Sequence, residues 1–290
     1  MQTRSKIIFS LSMFIFGTIG IFRRFIPLPS GFVSMVRGFA GALFLCLFML
    51  FASKKPDKEQ IKKNLFKLVF SGAFMGLNWM LLFESYSYTS VATATLCYYM
   101  APIFVLIASP FIFKEKAGVR NICCIIVSAI GMTLVSGVVG GNFSLNRDGI
   151  GVIMGLSAAV LYAAIILINK TVTGMQPYDK TVVQLLSAAV VMVPYVFFAE
   201  NISLADFTPL SVVLLLTVGI LHTGICYAGY FGSLDKIKAS TVAVLSYIDP
   251  VVAVILSAIL LKESMTVFGI IGAVLIIGSA IVSELPQKEN

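Results

Sequence analysis

Charge is what this 290-residue sequence has least of. Asp, Glu, Lys and Arg make up 12% of it, about half the share of a soluble domain, while 59% is apolar and mean hydropathy is +0.99. So little charge cannot cover a water-facing surface, which excludes a soluble globular fold and implies an all-α polytopic membrane protein. Histidine occurs once, as His222, and the five cysteines, Cys46, Cys97, Cys123, Cys124 and Cys226, sit inside apolar runs without partner spacing. Neither a disulfide framework nor a metal site follows from them. The chain has no GxxxxGK[ST] and no clustered His, Ser and carboxylate constellation, so neither an enzyme nor a cofactor is expected. Its longest hydrophilic connection is about a dozen residues, too short to fold as a separate domain.

What the chain has is apolar runs. Ten of them fall near 6–23, 31–52, 66–88, 91–113, 118–139, 149–170, 181–199, 209–232, 239–261 and 265–284, each of a length that crosses a bilayer as a helix. Pro27-Leu28-Pro29, the charged stretch from Ser53 to Lys63, Gly140-Gly141-Asn142, Gly174 to Pro177, Asn201 to Pro209 and Asp235-Lys236 separate them. The first run follows Arg4 and Lys6 as a signal peptide would. No small-residue cleavage site comes after it, however, and Arg23-Arg24 does, so it is expected to be the first spanning helix.

The net charge of +8 lies in the connections. With the N-terminus inside, Arg23, Arg24, Arg147 and Lys262 face outward, Arg37 lies within a helix and the other sixteen of the 21 basic residues face inward. That asymmetry predicts both termini in the cytoplasm of a cell membrane, with lipid and not nucleic acid as the partner of the basic residues.

Two stretches share one register. Val91 to Lys116 and Ser240 to Ser264 each carry a central proline and close on Lys-Glu. Tyr99, Pro102, Lys114 and Glu115 recur 148 positions later as Tyr247, Pro250, Lys262 and Glu263. Gly76, Phe83 and Ser85 recur at Gly224, Phe231 and Ser233, and a three-residue slip matches Leu11-Ser12 to Leu156-Ser157. Two five-helix repeats, 1–140 and 141–290, are therefore expected. Because five is odd, the second is inverted, an arrangement that serves alternating access around a mid-membrane site.

Arg37 in VSMVRGFAGALF, the aromatic-x-x-Pro motifs Tyr99 to Pro102 and Tyr247 to Pro250, the Lys-Glu closures and the glycine-rich GIIGAVLIIGSAIV occur in the order that resembles the EamA family of the drug/metabolite transporter superfamily. The resemblance covers nearly the whole chain. It implies a secondary transporter exporting small organic solutes such as amino acids, drugs or other metabolites. Small four-helix relatives couple to protons through an acid in helix 1; here Ile7 to Phe22 has none, so any coupling residue lies elsewhere. Nucleotide-sugar carriers share the architecture, but basic residues are too sparse at mid-membrane for a polyanion. A membrane-embedded enzyme or a channel lacks its constellation here.

Polar groups inside the bilayer are the candidate site, because each is costly unless paired or facing a cavity. Asp249 falls about 15 Å along helix 9 from its inner start, near the midplane, where it would carry a proton, bind substrate, pair with Arg37 or cap backbone freed by Pro250. His222 and Asn78 lie at similar depth; Arg37 and Glu84 lie nearer the outer surface. His222 suits a bond to a neighbouring hydroxyl or carbonyl, or a proton relay. Trp79, Tyr98, Tyr99, Tyr162, Tyr227 and Tyr247 offer apolar walls with polar handles, suited to an amphipathic or cationic solute. Pro102 and Pro250 are expected to kink their helices as hinges. Ten helices enclose such a site without a second copy, so a monomer suffices.

Overall fold

The computed structural model describes residues 2–113, 118–135, 147–234, 236–237 and 239–285. Lys114, Glu115 and Lys116 of the first closure, Gly140 to Asn142, Asp235, Lys238 and Lys288 lie outside the described residues. The described residues are helical between short connections. Seven helices are long and apolar enough to cross a membrane, and three shorter apolar ones accompany them.

The first three helices are α1 (Gln2–Arg24), α2 (Ser30–Phe51) and α3 (Lys58–Tyr88). α3 starts eight residues before the apolar run near 66, because Asp57 caps it, accepting from the Gln60 amide at 3.1 Å. The charged Ser53–Lys63 connection is thus half helix. The fourth apolar run divides into α4 (Val91–Tyr98) and α5 (Ala101–Phe113), and the ninth into α11 (Ala239–Ser246) and α12 (Ile248–Leu260). The expected kinks are breaks, and each proline lies in the first turn of the second piece, where a missing amide costs nothing. Between these lie α6 (Val119–Val135), α7 (Asp148–Lys170) and α8 (Pro177–Ala199). The eighth run holds α9 (Pro209–Thr217), a wide π-helical stretch (Val218–Ile225) and α10 (Cys226–Leu234). α13 (Val267–Glu284) is the last helix.

Hydrogen bonds tie the helix ends into two faces. On one, Arg24 of α1 donates to the Tyr86 carbonyl, Arg147 before α7 donates to Ser87 O at 3.1 Å, and Glu200 after α8 accepts from the Gly31 and Phe32 amides of α2 at 2.7 and 2.8 Å. Glu263 after α12 accepts from the Val91 amide of α4 at 2.9 Å. On the other face, Asp179 of α8 accepts from the Asp57 amide at 3.0 Å, and Arg120 of α6 donates to the Leu285 carbonyl beyond α13 at 2.7 Å. α1 therefore ends where α7 begins, and α4 begins where α12 ends.

Packing follows small residues, since lipid gives no hydrophobic drive between helices. α6 and α13 lie so close that a Cβ on Gly131 would stand 2.8 Å from the Gly272 carbonyl, and one on Gly272 2.5 Å from the Gly131 carbonyl. Ser128 and Ser279 bond across the same contact at 2.6 Å. Gln184 of α8 reaches Ser71 of α3 and Asn169 of α7. The main core lies among α1 to α3, α8 and α9, with a second under α4, α5, α6 and α13. Large apolar side chains such as Phe51, Phe111, Val119 and Phe197 point outward with most of their surface uncovered, as a lipid-facing belt requires.

Candidate functional site

Where α4 and α5 meet, and again where α11 and α12 meet, the helix breaks deep in the bundle and its aromatic side chains gather. Tyr99 closes α4 and Tyr247 precedes α12, their ring centroids 6.2 Å apart. Tyr98 stands at right angles to Tyr99 at 5.9 Å and stacks on Tyr162 of α7 at 5.1 Å. Asp249 occupies the first turn of α12, where the helix dipole favours a carboxylate. It is half-buried and lies two residues after Tyr247, whose ring meets that of Tyr99. Arg37, Tyr98 and Tyr227 lie within its electrostatic reach.

Arg37 is 5% exposed. Its Nε donates to Thr223 Oγ1 at 2.7 Å, and its guanidinium carbon lies 3.9 Å from the Trp79 ring centroid and 5.6 Å from that of Phe83. Cation–π contacts of this kind strengthen when desolvated. Thr223 is in turn fixed by donating to the Val218 carbonyl at 3.0 Å, a bond that the π-helical turn allows. The fixed ion pair between Asp249 and Arg37 does not form; no ion pair joins them among the described residues, because Arg37 is held by Thr223 and ring faces. Its terminal nitrogens have no hydrogen-bond partner among the described residues.

The structure brings together Arg37, Trp79, Tyr98, Tyr99, Tyr227, Tyr247 and Asp249. Three other candidates lie outside this group. His222 is fully buried, its Nε2 2.8 Å from Thr18 Oγ1 and its Nδ1 3.3 Å from the Thr217 carbonyl, with Phe22 edge-on at 4.9 Å. It joins α1 to the wide turn. Asn78 donates to the Ala158 carbonyl and so joins α3 to α7. Glu84 accepts from Ser30 Oγ at 2.7 Å, and Ser30 accepts from Arg23 at 2.8 Å; this network lies beside the α1–α2 turn. Thr223, Tyr86 and Phe83 join the site without having been anticipated. Thr223 alone carries a signal, as a hydroxyl beside His222 in an apolar run. Among the described residues no three His, Cys, Asp or Glu side chains gather as a metal site would need.

Bundled apolar helices of spanning length, with charged and tyrosine side chains buried among them, make a multi-pass membrane protein. The sequence profile of the EamA-like transporter family matches residues 4–137 and 149–284, and the chain belongs to that family. It is therefore a membrane transporter. It is 30% identical over 266 residues to the uncharacterized transporter YxxF of Bacillus subtilis, covering 92% of this chain and 85% of that one. An uncharacterized transporter of Archaeoglobus fulgidus is 20% identical over 274 residues, 94% and 93% of the two chains. A solved crystal structure shares the fold with a TM-score of 0.68 at 14% identity, over 97% of this chain and 96% of that one.

Proposed function

We propose that the protein is a secondary transporter that exports small organic solutes by alternating access across the cell membrane. Its ten spanning segments form two inverted repeats, 1–140 and 141–290, with both termini cytoplasmic. Several observations support the repeat. The family profile matches in two consecutive stretches. α4 and α11 have eight residues each and begin 148 positions apart, α6 and α13 also begin 148 positions apart, and α5 and α12 have thirteen residues each. α1 packs on α12 as α7 packs on α5. Matched helices run in opposite directions between the two faces, as inversion demands.

One arrangement carries the substrate reading: Arg37, whose terminal nitrogens bond no described residue, and Asp249, beside the Tyr99–Tyr247 pair, would flank one tyrosine-lined space. A guanidinium and a carboxylate across such a space suit a zwitterion, the solute's carboxylate on Arg37 and its ammonium on Asp249, with apolar bulk against the rings. Amino-acid-like solutes fit that pattern, and a proton on Asp249 is the natural coupling ion when the ammonium leaves. The direction, export, follows the family resemblance.

Counterflow in proteoliposomes, comparing neutral amino acids with amphipathic amines that lack a carboxylate, tests this reading. Arg37→Met should reduce amino-acid exchange by about tenfold, the worth of one charged hydrogen bond, and spare the amines. Equal loss of both, or of neither, overturns the zwitterion assignment.

A further inference from the structure

At the face where α3 passes into α4, a cavity of about 360 Å³ opens to the surface, lined by Arg24, Tyr88, Ser90, Arg147, Asp148 and Glu263 among others. The short turn at its floor, Thr89-Ser90, is held from three directions. Arg24 of α1 donates to the carbonyl of Tyr86 and Arg147 to that of Ser87. α7 presses on it so closely that a Cβ on Gly151 would stand 2.8 Å from Thr89 Cβ. The third hold is Glu263.

Glu263 lies just past the end of α12, after Lys262 in the left-handed region at φ 55°. That turn folds the chain back, so that the Glu263 amide donates to the Ser257 carbonyl at 3.3 Å while Ser257 Oγ donates to the Glu263 carboxylate. The carboxylate is thereby aimed across the gap, where Oε2 accepts from the Val91 amide, an otherwise orphaned donor in the first turn of α4. One hydrogen bond to a charged acceptor thus clips the end of one broken helix to the start of the other. Both helices lead inward to the breaks at Tyr99 and Tyr247, where Asp249 lies.

We propose that Glu263 is the latch of this face: its bond to the Val91 amide holds α12 against α4, and its release opens the cavity floor toward the Arg37–Asp249 site. The inference rests on the alternating-access reading above, and Glu263 acts as a positioning residue that need not touch the solute.

Cys226, 1% exposed and three residues after Thr223, the partner of Arg37, is a built-in reporter. In protein whose other four cysteines are replaced by alanine, the rate of Cys226 modification by a membrane-impermeant maleimide is measured from each side, in intact cells and inverted vesicles. Glu263→Ala should raise the rate from the outer side by about tenfold, the loss of one charge-assisted bond. Val91→Pro deletes the same bond from the donor side. Proline is tolerated at the first helical position, and Ser90, at φ −65° and ψ 150°, already has the conformation that a residue before proline adopts. It should reproduce the increase, and the double variant should add nothing further. Folding is checked by thermal melt, and Val91→Pro decides the matter if Glu263→Ala does not fold. Unchanged labelling in a folded variant overturns the latch. An increase from the cytoplasmic side instead overturns the membrane orientation and leaves the latch standing. Because labelling requires no transported solute, a failed counterflow assay overturns the substrate reading alone.

Discussion

α4–α5 and α11–α12 are two versions of one broken helix, and among their differences one changes charge. Both divide beside a tyrosine, and both carry a proline in the first turn of the second piece. Ala101, fully buried, stands at the register position that Asp249 holds half-buried in the other copy. The backbone break is common to both, whereas the charge belongs to one. On the proposed reading, the repeated break would supply two ways of opening, and the one-sided carboxylate would give the solute and its coupling ion one place to bind.

Moving the charge is the most severe way to break that comparison. Asp249→Asn should abolish accumulation driven by a pH gradient while passive exchange persists, because the amide mimics a carboxyl that never releases its proton. Ala101→Asp should not restore accumulation, and should destabilise the fold by about 3 kcal/mol, the cost of an unpartnered acid at the centre of a spanning helix. Proteoliposome uptake and thermal melts read both results, and accumulation by a stable Asp249→Asn variant would remove Asp249 from coupling.

The prolines test whether the breaks themselves matter. Since Pro102 and Pro250 sit where no helical amide is lost, Pro102→Ala and Pro250→Ala should change stability by less than about 1 kcal/mol while letting each helix close across its break. Labelling of Cys226 should then shift between the two sides of the membrane, in opposite senses for the two variants. Identical, unshifted labelling in both would make the breaks static.

The smallest effect sharpens the contrast between interior and rim. Burial pushes the Glu200 carboxyl above its usual 4.5, against the Gly31 and Phe32 amides that favour its charge, with Glu84 adding repulsion and Arg23 relieving it. Its proton is held more tightly in the folded state. Its contribution to stability is therefore fully present below pH 4.5 and is lost as pH rises through the raised value. Glu200→Gln should flatten that part of the melting-temperature profile, and an unaltered profile would assign it to another group.

The frame was legible in the chain because apolar length and repeated landmarks are properties of sequence alone. A helical membrane protein read directly from the apolar runs, and the described residues hold seven long apolar helices and three shorter ones. The helix breaks did not, since a proline signals a kink in an apolar run and only the surrounding packing turns the kink into an interruption. Within the site, Arg37, Asp249 and the tyrosines announced themselves as costly groups in an apolar setting. Their pairing did not: the structure gives Arg37 to Trp79 of the next helix and to Thr223, 186 residues on, instead of to the opposite charge that electrostatics alone would choose. His222 and Asn78 are equally costly in sequence, and only their neighbours, Thr18 and the Ala158 carbonyl, reveal them as ties between helices. Glu263 was visible as a landmark of the repeat, but its reach to the Val91 amide depends on the left-handed turn at Lys262, which a lysine does not advertise.

The wide stretch from Val218 to Ile225 has a consequence for phase. The Cys226 amide donates to the Leu221 carbonyl, five residues back, so the turn holds more chain than an α-helix would over the same rise. Each residue of an α-helix turns the side chains beyond it by about 100°. Were this segment wound tightly throughout, everything from Cys226 onward would be rotated by about that angle, and Tyr227 would leave the face where it meets Phe16 at 5.5 Å. The loose turn thus acts as a vernier, setting the α10 side chains in step with α1 while Thr223, inside the loosened part, is left facing Arg37.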